Sequence, residues 1–311
     1  MENFSYFHDA EFEPPLRVKI LQEVCESMGL RLEIVQPREG FLCRIWDDDR
    51  FINHQVNVCT LNSYNAGLIA KDKTYTYLIL QKAGFRVPRG DYYFRSDFFK
   101  HPDYSIDRGE YEAIRDGIML GMVCSQAQAE LYLANREHDL LSFKQSLIVK
   151  PNSLSLGLGV FRVDTVDALE FAIKKVFSLP NATEHVVIVQ EFIEGIEFRL
   201  IMLDGELLLC AEKEFGSDNR AIMRDKTSRI PKDYVDWARR ASEAMQMRYL
   251  GLDFRCKDLS QPANEAVILE VNCNPGLTYY YENGMETLTL TIYQKLITQM
   301  FREVSLGQPD L

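Results

Sequence analysis

The hydrophobic positions near the amino terminus follow first a helical and then a strand-like spacing. From Leu16 to Met28 the apolar residues recur every three to four positions, and Gly29 follows as a C-terminal cap. Two β-prone runs, RLEIVQ and FLCRIW, lie on either side of the turn-forming PREG. This order predicts a small α/β unit.

A second helical pattern lies in KDKTYTYLILQKAG, which a Pro-Arg-Gly break then ends. We place a domain boundary before it, so that residues 1–66 form a reduced N-terminal α/β domain and residues 67–311 form a second domain. The next segment has weaker periodicity. Its apolar run from Ile118 predicts a strand, and residues 127–140 predict a helix.

From Leu147 onward the chain alternates between strand-like and helical patterns without a repeat of about 20–50 residues. The turn residues Asp204 and Gly205 separate two apolar runs and predict a hairpin. The predicted strands are SLIVKP, VFRV, VVIVQEF, EFRLIML, ELLLCAEKEF, LGLDFRCK and AVILEVN, and the predicted helices are DALEFAIKKVF, about 232–247 and a final one within 287–302. The fold class is therefore α/β, with α+β character and antiparallel hairpins in the second half.

Composition narrows the classes of partner. The 35 Lys and Arg residues against 46 Asp and Glu residues give a net charge of −11, the wrong sign for neutralising a nucleic-acid backbone. A small anion such as a nucleotide stays compatible, because a few local cations outweigh a distant field. The seven cysteines form no CxxC pair, and we find no apolar run of about 18 residues and no signal-peptide pattern. These features predict a cytoplasmic protein without a membrane partner.

A lysine at the end of an apolar strand is the first candidate for chemistry. Lys150 is followed, after Pro151, by the loop NSLSLGLG, which contains Gly157 and Gly159. Backbone amides of such a loop can close over phosphate oxygens while the lysine supplies a fixed cation. An exposed hairpin loop beside a lysine explains the same pattern, and the loop matches neither a Walker A sequence nor GxGxxG.

Oxygen-bearing side chains on two later strands form the second candidate. Glu270 and Asn272 are two residues apart and so project from one face of their strand, and Asp253 lies on the preceding strand. Magnesium prefers such oxygen ligands when water and phosphate fill its other positions. The alternative is a turn after a solvated strand residue.

The segment QEFIEGIEFRL is the third candidate. Its amide and carboxylate groups, at Gln190, Glu191 and Glu197, can bind an adenine edge and ribose hydroxyls. An acid-rich surface strand is the alternative.

Taken in order, these segments resemble the ATP-grasp superfamily over about residues 67–280. Within it the chain is most similar to carboxylate-amine ligases such as D-alanine:D-alanine ligase, cyanophycin synthetase and the glutathione-forming domains. The resemblance implies an ATP-grasp fold, with two lobes gripping ATP after the small α/β domain and a lid subdomain at about 90–190. It implies ATP and Mg²⁺ as cofactors, with Mn²⁺ as the alternative ion.

The resemblance also assigns roles to single residues. Lys150 would bind the α and β phosphates together with Lys73, and Gly157 and Gly159 would belong to the lid. The adenine and ribose contacts would come from Gln190, Glu191, Phe192, Ile193 and Glu197. The metal ligands would be Asp253, Glu270 and Asn272. Arg199 would meet the transferred phosphate, so that Arg199 and Lys150 are the implied catalytic residues.

The chain departs from the related sequences in two places. Tyr77 stands where some members carry a second ATP lysine, which makes Lys73 the better candidate. Gly251 and Leu252 stand where D-alanine ligases carry an arginine before the metal aspartate. Arg255 shares a strand face with Asp253 but does not match that family position.

The implied reaction is ATP-dependent amide or peptide bond formation through an acyl phosphate, on small carboxylate and amine substrates such as amino acids or small peptides. Phosphoryl transfer without amide formation and non-catalytic nucleotide binding are the alternatives. A homodimer is expected by analogy alone. The basic segment 220–229 could clamp a substrate carboxylate, and a solvated basic loop explains it equally well.

Overall fold

The computed structural model describes residues 13–36, 40–55, 60–94, 142–155, 157–179, 186–215 and 221–307. The helices are α1 (Leu16–Ser27), α2 (Tyr64–Lys71), α3 (Lys73–Lys82), α4 (Val166–Phe177), α5 (Lys232–Ala244), α6 (Thr278–Glu282) and α7 (Glu286–Gly307). The strands are β1 (Arg31–Ile34), β2 (Leu42–Asp47), β3 (Arg50–Gln55), β4 (Gly90–Phe94), β5 (Ser142–Pro151), β6 (Phe161–Thr165), β7 (Val186–Glu191), β8 (Ile196–Leu203), β9 (Glu206–Phe215), β10 (Ala221–Asp225), β11 (Tyr249–Cys256) and β12 (Val267–Asn272).

The predicted mixture of helices and antiparallel hairpins is confirmed. The sheets have the orders β1-β2-β3, β4-β7-β5-β6 and β10-β9-β8-β11-β12. Asp204 and Gly205 form the predicted hairpin turn, with φ angles of 49° and 78°. Part of the basic segment 220–229, expected to be a loop, is instead a strand, because residues 221–225 pair with β9 as β10. The predicted strand at Ile118 and the helix over 127–140 lie outside the described residues.

The chain forms two compact units, each built from separate stretches of sequence. The first unit contains residues 1–64, 198–251 and 272–311, and the second contains residues 65–197 and 252–271. The domain over residues 1–66 and the lid at about 90–190 stay predictions.

The first unit encloses one continuous apolar core. Helix α1 contributes its buried face, and the three-stranded sheet contributes the inward residues of β2 and β3, which alternate with exposed residues. Side chains from β8, β9 and α7 complete this core, among them Ile201, Leu209 and Ile297. Asn62 joins the first strand residue of β11 to the segment after β12, because its side chain donates to the carbonyl oxygens of Tyr249 and Cys273 at 2.5 and 3.0 Å.

The second unit is organised around the sheet β4-β7-β5-β6, against which α4 packs. Thr165 begins α4 as its N-cap, accepting a hydrogen bond from the Ala168 amide. The helix buries Leu169 and Val176, while β5 and β7 contribute strand residues that are fully buried. Within the described part of the chain, no helix combines the length and apolar character needed to cross a bilayer.

A buried histidine makes the first unit sensitive to acid. His54 pairs with Cys43 across β2 and β3 and is 7% exposed, and burial lowers its pKa from 6.5 to about 4. The unfolded chain therefore takes up a proton below pH 6.5 that the folded chain refuses until about pH 4. The contribution of His54 to the free energy of unfolding is therefore constant above pH 6.5 and is lost as the pH falls toward 4. Between pH 8 and pH 5 we expect a loss of about 2 kcal/mol in the free energy of unfolding.

Urea unfolding of the wild type and of His54→Gln at pH 8 and pH 5 measures this contribution. The variant should show a pH-dependent loss smaller by about 2 kcal/mol, because the other titratable groups are unchanged. Equal losses in the two proteins would contradict the assignment.

Candidate functional site

Lys150 lies next to the end of β5 and is 7% exposed. It pairs with Ile188 of β7, and Ile148 pairs with Gln190, so the side chains of Lys150 and Gln190 lie on the same face of the sheet. The Lys150 ammonium donates to the Tyr77 hydroxyl at 2.8 Å. The Lys150 cation therefore lies on the same sheet face as the Gln190 amide, and Gln190 is also buried, at 3% exposed.

Tyr77 links three elements through its hydroxyl group. The oxygen lies 2.7 Å from the Leu269 carbonyl oxygen on β12 and 3.2 Å from Gln190 Oε1. A phenol has a single proton, so it donates to one of these acceptors at a time while accepting from Lys150. Burial raises the pKa of Tyr77, and the negative charge of Glu270 adds to this effect. Tyr77 therefore stays a neutral link between α3, β7 and β12.

The charge of Lys150 is opposed by burial and supported by two carboxylates. Burial lowers the pKa of its ammonium from 10.5 to about 8, while Glu270 and Glu197 act in the opposite direction. Further negative charge beside the ammonium would favour its protonated form. The site thus fits an anionic ligand.

Lys73 begins α3 and is held against the loop that follows β5. Its ammonium donates to the carbonyl oxygens of Asn152 and Leu154 at 3.2 and 2.7 Å, and it lies 3.8 Å from Glu270 Oε1. Asp72 caps this helix by accepting from the Tyr75 amide. The lysine is 6% exposed, so the helix start fixes a second buried cation near Glu270.

Both glycines of the loop have left-handed backbone conformations. Gly157 and Gly159 have φ angles of 72° and 71°, and the Val160 amide donates to the Gly157 carbonyl at 3.3 Å. A Cβ atom at Gly159 would lie 2.7 Å from Leu179 Cδ1. A tight turn therefore requires glycine at this position.

The segment after β7, residues 192–197, leads into β8 and is called the hinge below. Glu191 lies on the opposite face of β7 from Gln190, and its carboxylate accepts from the Arg89 guanidinium at 2.8 and 3.0 Å. The Phe192 amide donates to the Ser146 carbonyl at 3.0 Å. At the end of the hinge, Glu197 Oε2 accepts two hydrogen bonds from Arg255.

Asp253 and Glu270 lie on neighbouring strands of the second unit. Asp253 is 4% exposed on β11, and the Glu270 side chain is 28% exposed on β12. Asn272 ends β12, and its buried Nδ2 atom has no hydrogen-bond partner within the described residues. Arg199 lies on β8 two residues after Glu197.

Several partners of these residues were not identified from the sequence alone. Arg89, Asn152 and the Arg255–Glu197 pair join positions that are far apart along the chain. In the basic segment, Arg224 pairs with Glu214 and Lys226 pairs with Glu212, each at 2.8 Å. Arg220 lies outside the described residues. For these two ion pairs, the sequence signal is that the acidic residues of β9 directly precede the basic segment.

The sequence profile of the RimK-like ATP-grasp domain matches residues 126–299, more than half of the chain. The glutathione biosynthesis bifunctional protein GshAB of Streptococcus thermophilus (strain CNRZ 1066) is 27% identical over 200 residues, which are 62% of this chain and 21% of that protein. D-alanine--D-alanine ligase of Haemophilus ducreyi is 28% identical over 166 residues, 50% of this chain and 53% of the ligase. The chain thus spans about a fifth to a half of the length of these relatives.

Among solved structures, the bifunctional glutathione synthetase of Pasteurella multocida superposes with a TM-score of 0.56 at 17% identity. The match covers 92% of this chain and 44% of that one, and it shows the same mixed α/β fold with several antiparallel sheets. The expected ATP-grasp fold is confirmed, and the chain belongs to the RimK-like ATP-grasp family.

Proposed function

We propose that this chain is an ATP-dependent carboxylate-amine ligase that forms an amide or peptide bond between amino acids or small peptides. The observation that carries the proposal is the burial of two ammonium groups, with Lys73 beside the Glu270 carboxylate and Lys150 linked through Tyr77 to the neighbouring Leu269 on β12. Lys73 lies 3.8 Å from Glu270, and the charge of Glu270 acts on the buried Lys150. Such a group of cations around an acidic metal ligand suits a polyphosphate bound with a divalent ion.

The residues on the Lys150 face of the sheet would bind the nucleotide. Lys150 and Lys73 would neutralise phosphate oxygens, and the Gly157–Gly159 turn would cover them. Gln190 would offer its buried amide to adenine, and Ile193 its main-chain amide. Because the Glu191 carboxylate is paired with Arg89, its contribution is expected from the main chain.

The candidate metal ligands have the chemistry of a magnesium site. In the described part of the chain no group of three or more His, Cys, Asp or Glu residues could hold a metal. Asp253 and Glu270 with the amide oxygen of Asn272 would supply three oxygen ligands, and water and phosphate oxygens would complete the set. The buried Asn272 Nδ2 atom has no partner among the described residues, and as a donor it would suit a phosphate oxygen of a bound nucleotide rather than the metal itself. When bound, Mg²⁺, or Mn²⁺ in its place, would neutralise phosphate charge.

The proposed reaction has two steps. A carboxylate oxygen attacks the γ-phosphorus and the bond to ADP breaks, and then an amine nitrogen attacks the acyl carbon while phosphate leaves and a proton is released. Lys150 would stabilise the negative charge on the transferred group, and the catalytic role implied for Arg199 stays a prediction. The loop after β5 would exclude water, which otherwise hydrolyses the activated acid.

The proposal is tested by measuring ADP release with Mg-ATP over pairs of amino acids and small peptides, with the product mass determined for each active pair. A ligase requires both substrates and yields a product lighter than their sum by one water. A single substrate that gains a phosphoryl group would instead establish a phosphotransferase. ATP binding without turnover for any pair would favour a non-catalytic nucleotide-binding protein.

A further inference from the structure

Arg255 directs all of its described hydrogen bonds at the hinge, residues 192–197. Its Nε and Nη2 atoms donate to Glu197 Oε2 at 3.2 and 3.0 Å, and its Nη1 atom donates to the Ile193 carbonyl at 2.7 Å. One planar guanidinium therefore binds the two residues proposed to contact the base and the sugar of the nucleotide. Because the guanidinium is rigid, it fixes their relative positions.

The hinge lies very close to β11 at this point. Gly195 has a φ angle of 115°, and a Cβ atom there would lie 2.4 Å from the Cys256 carbonyl oxygen. The Arg255 guanidinium also lies 5.2 Å from the centre of the Phe192 ring. The Gly195 backbone contacts β11, and the Arg255 side chain of β11 contacts the hinge. These two contacts leave the hinge little freedom to shift along β11.

The Arg255–Glu197 pair is largely shielded from solvent, with the two side chains 19% and 11% exposed. Shielding strengthens the charge-assisted bonds and makes an unpaired carboxylate costly. The two bonds from Arg255 to the carboxylate both end on Oε2, so the guanidinium holds this oxygen in place. A lysine at this position would supply charge without the two-pronged geometry.

We infer that Arg255 is a positioning residue that orients the Glu197 carboxylate toward the ribose hydroxyls and thereby sets how strongly the site distinguishes nucleotides by their sugar. The inference rests on the proposed nucleotide function. It assigns Arg255 an effect on ribose selectivity that is separate from its effect on the strength of binding.

The test compares the binding of ATP and of 2′,3′-dideoxy-ATP by calorimetry, both with Mg²⁺. A carboxylate that accepts from sugar hydroxyls makes hydrogen bonds worth about tenfold or more in affinity, so the wild type should prefer ATP by at least about tenfold. In Arg255→Gln this preference should fall to within about threefold, as it should in Glu197→Gln. Arg255→Lys should show a preference for ATP between those of the wild type and of Arg255→Gln.

Arg162→Gln is the matched control, because Arg162 also lies over the Phe192 ring, at 4.1 Å, and donates to Ser146 rather than to Glu197. It should weaken or preserve the binding of both nucleotides equally and keep the preference for ATP. If Arg255 has a purely structural role, Arg255→Gln should behave like this control: the affinities for ATP and for 2′,3′-dideoxy-ATP fall together and their ratio is unchanged. This result would overturn the inference.

The failure of the proposed function has a different signature. A wild-type protein that binds neither nucleotide would overturn the proposed function and this inference together. A wild type that binds both with equal affinity would overturn the inference alone. Should Arg255→Gln fail to fold, as shown by the absence of a thermal transition, Arg255→Lys decides, and an unchanged preference in that variant contradicts the assignment.

Discussion

Glu270→Gln is expected to reduce ligase turnover by about 10²-fold to 10³-fold or more while leaving the fold intact. The substitution keeps the shape of the side chain but removes the negative charge that would hold a divalent ion beside the phosphates. It also removes the carboxylate that lies 3.8 Å from the Lys73 ammonium and supports the charge of Lys150. The measurement is ADP release with an active substrate pair, accompanied by Mg²⁺ titration, in which the variant should need more metal for half-maximal rate.

Glu265→Gln is the matched control for this prediction. Glu265 is an exposed acid in the turn directly before β12, and its described hydrogen bonds use the main chain: its carbonyl accepts from Arg86 and its amide donates to the Pro262 carbonyl, each at 2.9 Å. Loss of the same charge nearby should leave both turnover and the metal requirement unchanged. Unaltered turnover in a folded Glu270→Gln variant would remove Glu270 from the metal site.

Strands with apolar runs were predictable from the sequence, and elements with polar or turn-forming sequences were not. β5, β7 and β12 each bury residues on both faces, so their apolar runs are continuous. β3 has the sequence RFINHQ, in which only Ile52 and His54 are buried, and this pattern resembles a polar loop. Its pairing with β2 supplies the backbone partners that the sequence pattern does not reveal.

Helix α2 was missed because turn-forming residues hide it. Its sequence YNAGLIAK contains Asn65 and Gly67, both of which favour turns over helix interiors. Burial of Ala66 and Ala70 outweighs these weak local preferences. Local propensity alone therefore favours a turn-rich connection where tertiary packing forms a helix.

The candidate site was predictable as a set of residues but not as a network. The order of the lysine strand, the hinge and the acidic strand identified the ATP-grasp family, which the profile match confirms. The partners of those residues come from distant positions, as in the pairing of Arg89 with Glu191. Charged residues make up 26% of the chain, so the sequence contains no local signal for such pairs.

Lys150→Met is expected to weaken ATP binding by about 10²-fold or more and to abolish measurable turnover, yet to leave thermal stability unchanged or increased. The two effects have opposite signs because burial opposes the charge of Lys150, lowering its pKa to about 8, whereas bound phosphate would need that charge. A methionine fills a similar volume without a buried cation. Calorimetric binding of Mg-ATP and a thermal melt measure both effects on the same sample. Lys82→Met, an exposed position at the end of α3, should change neither quantity. A stable Lys150→Met variant that binds ATP normally would exclude this lysine from the phosphate site.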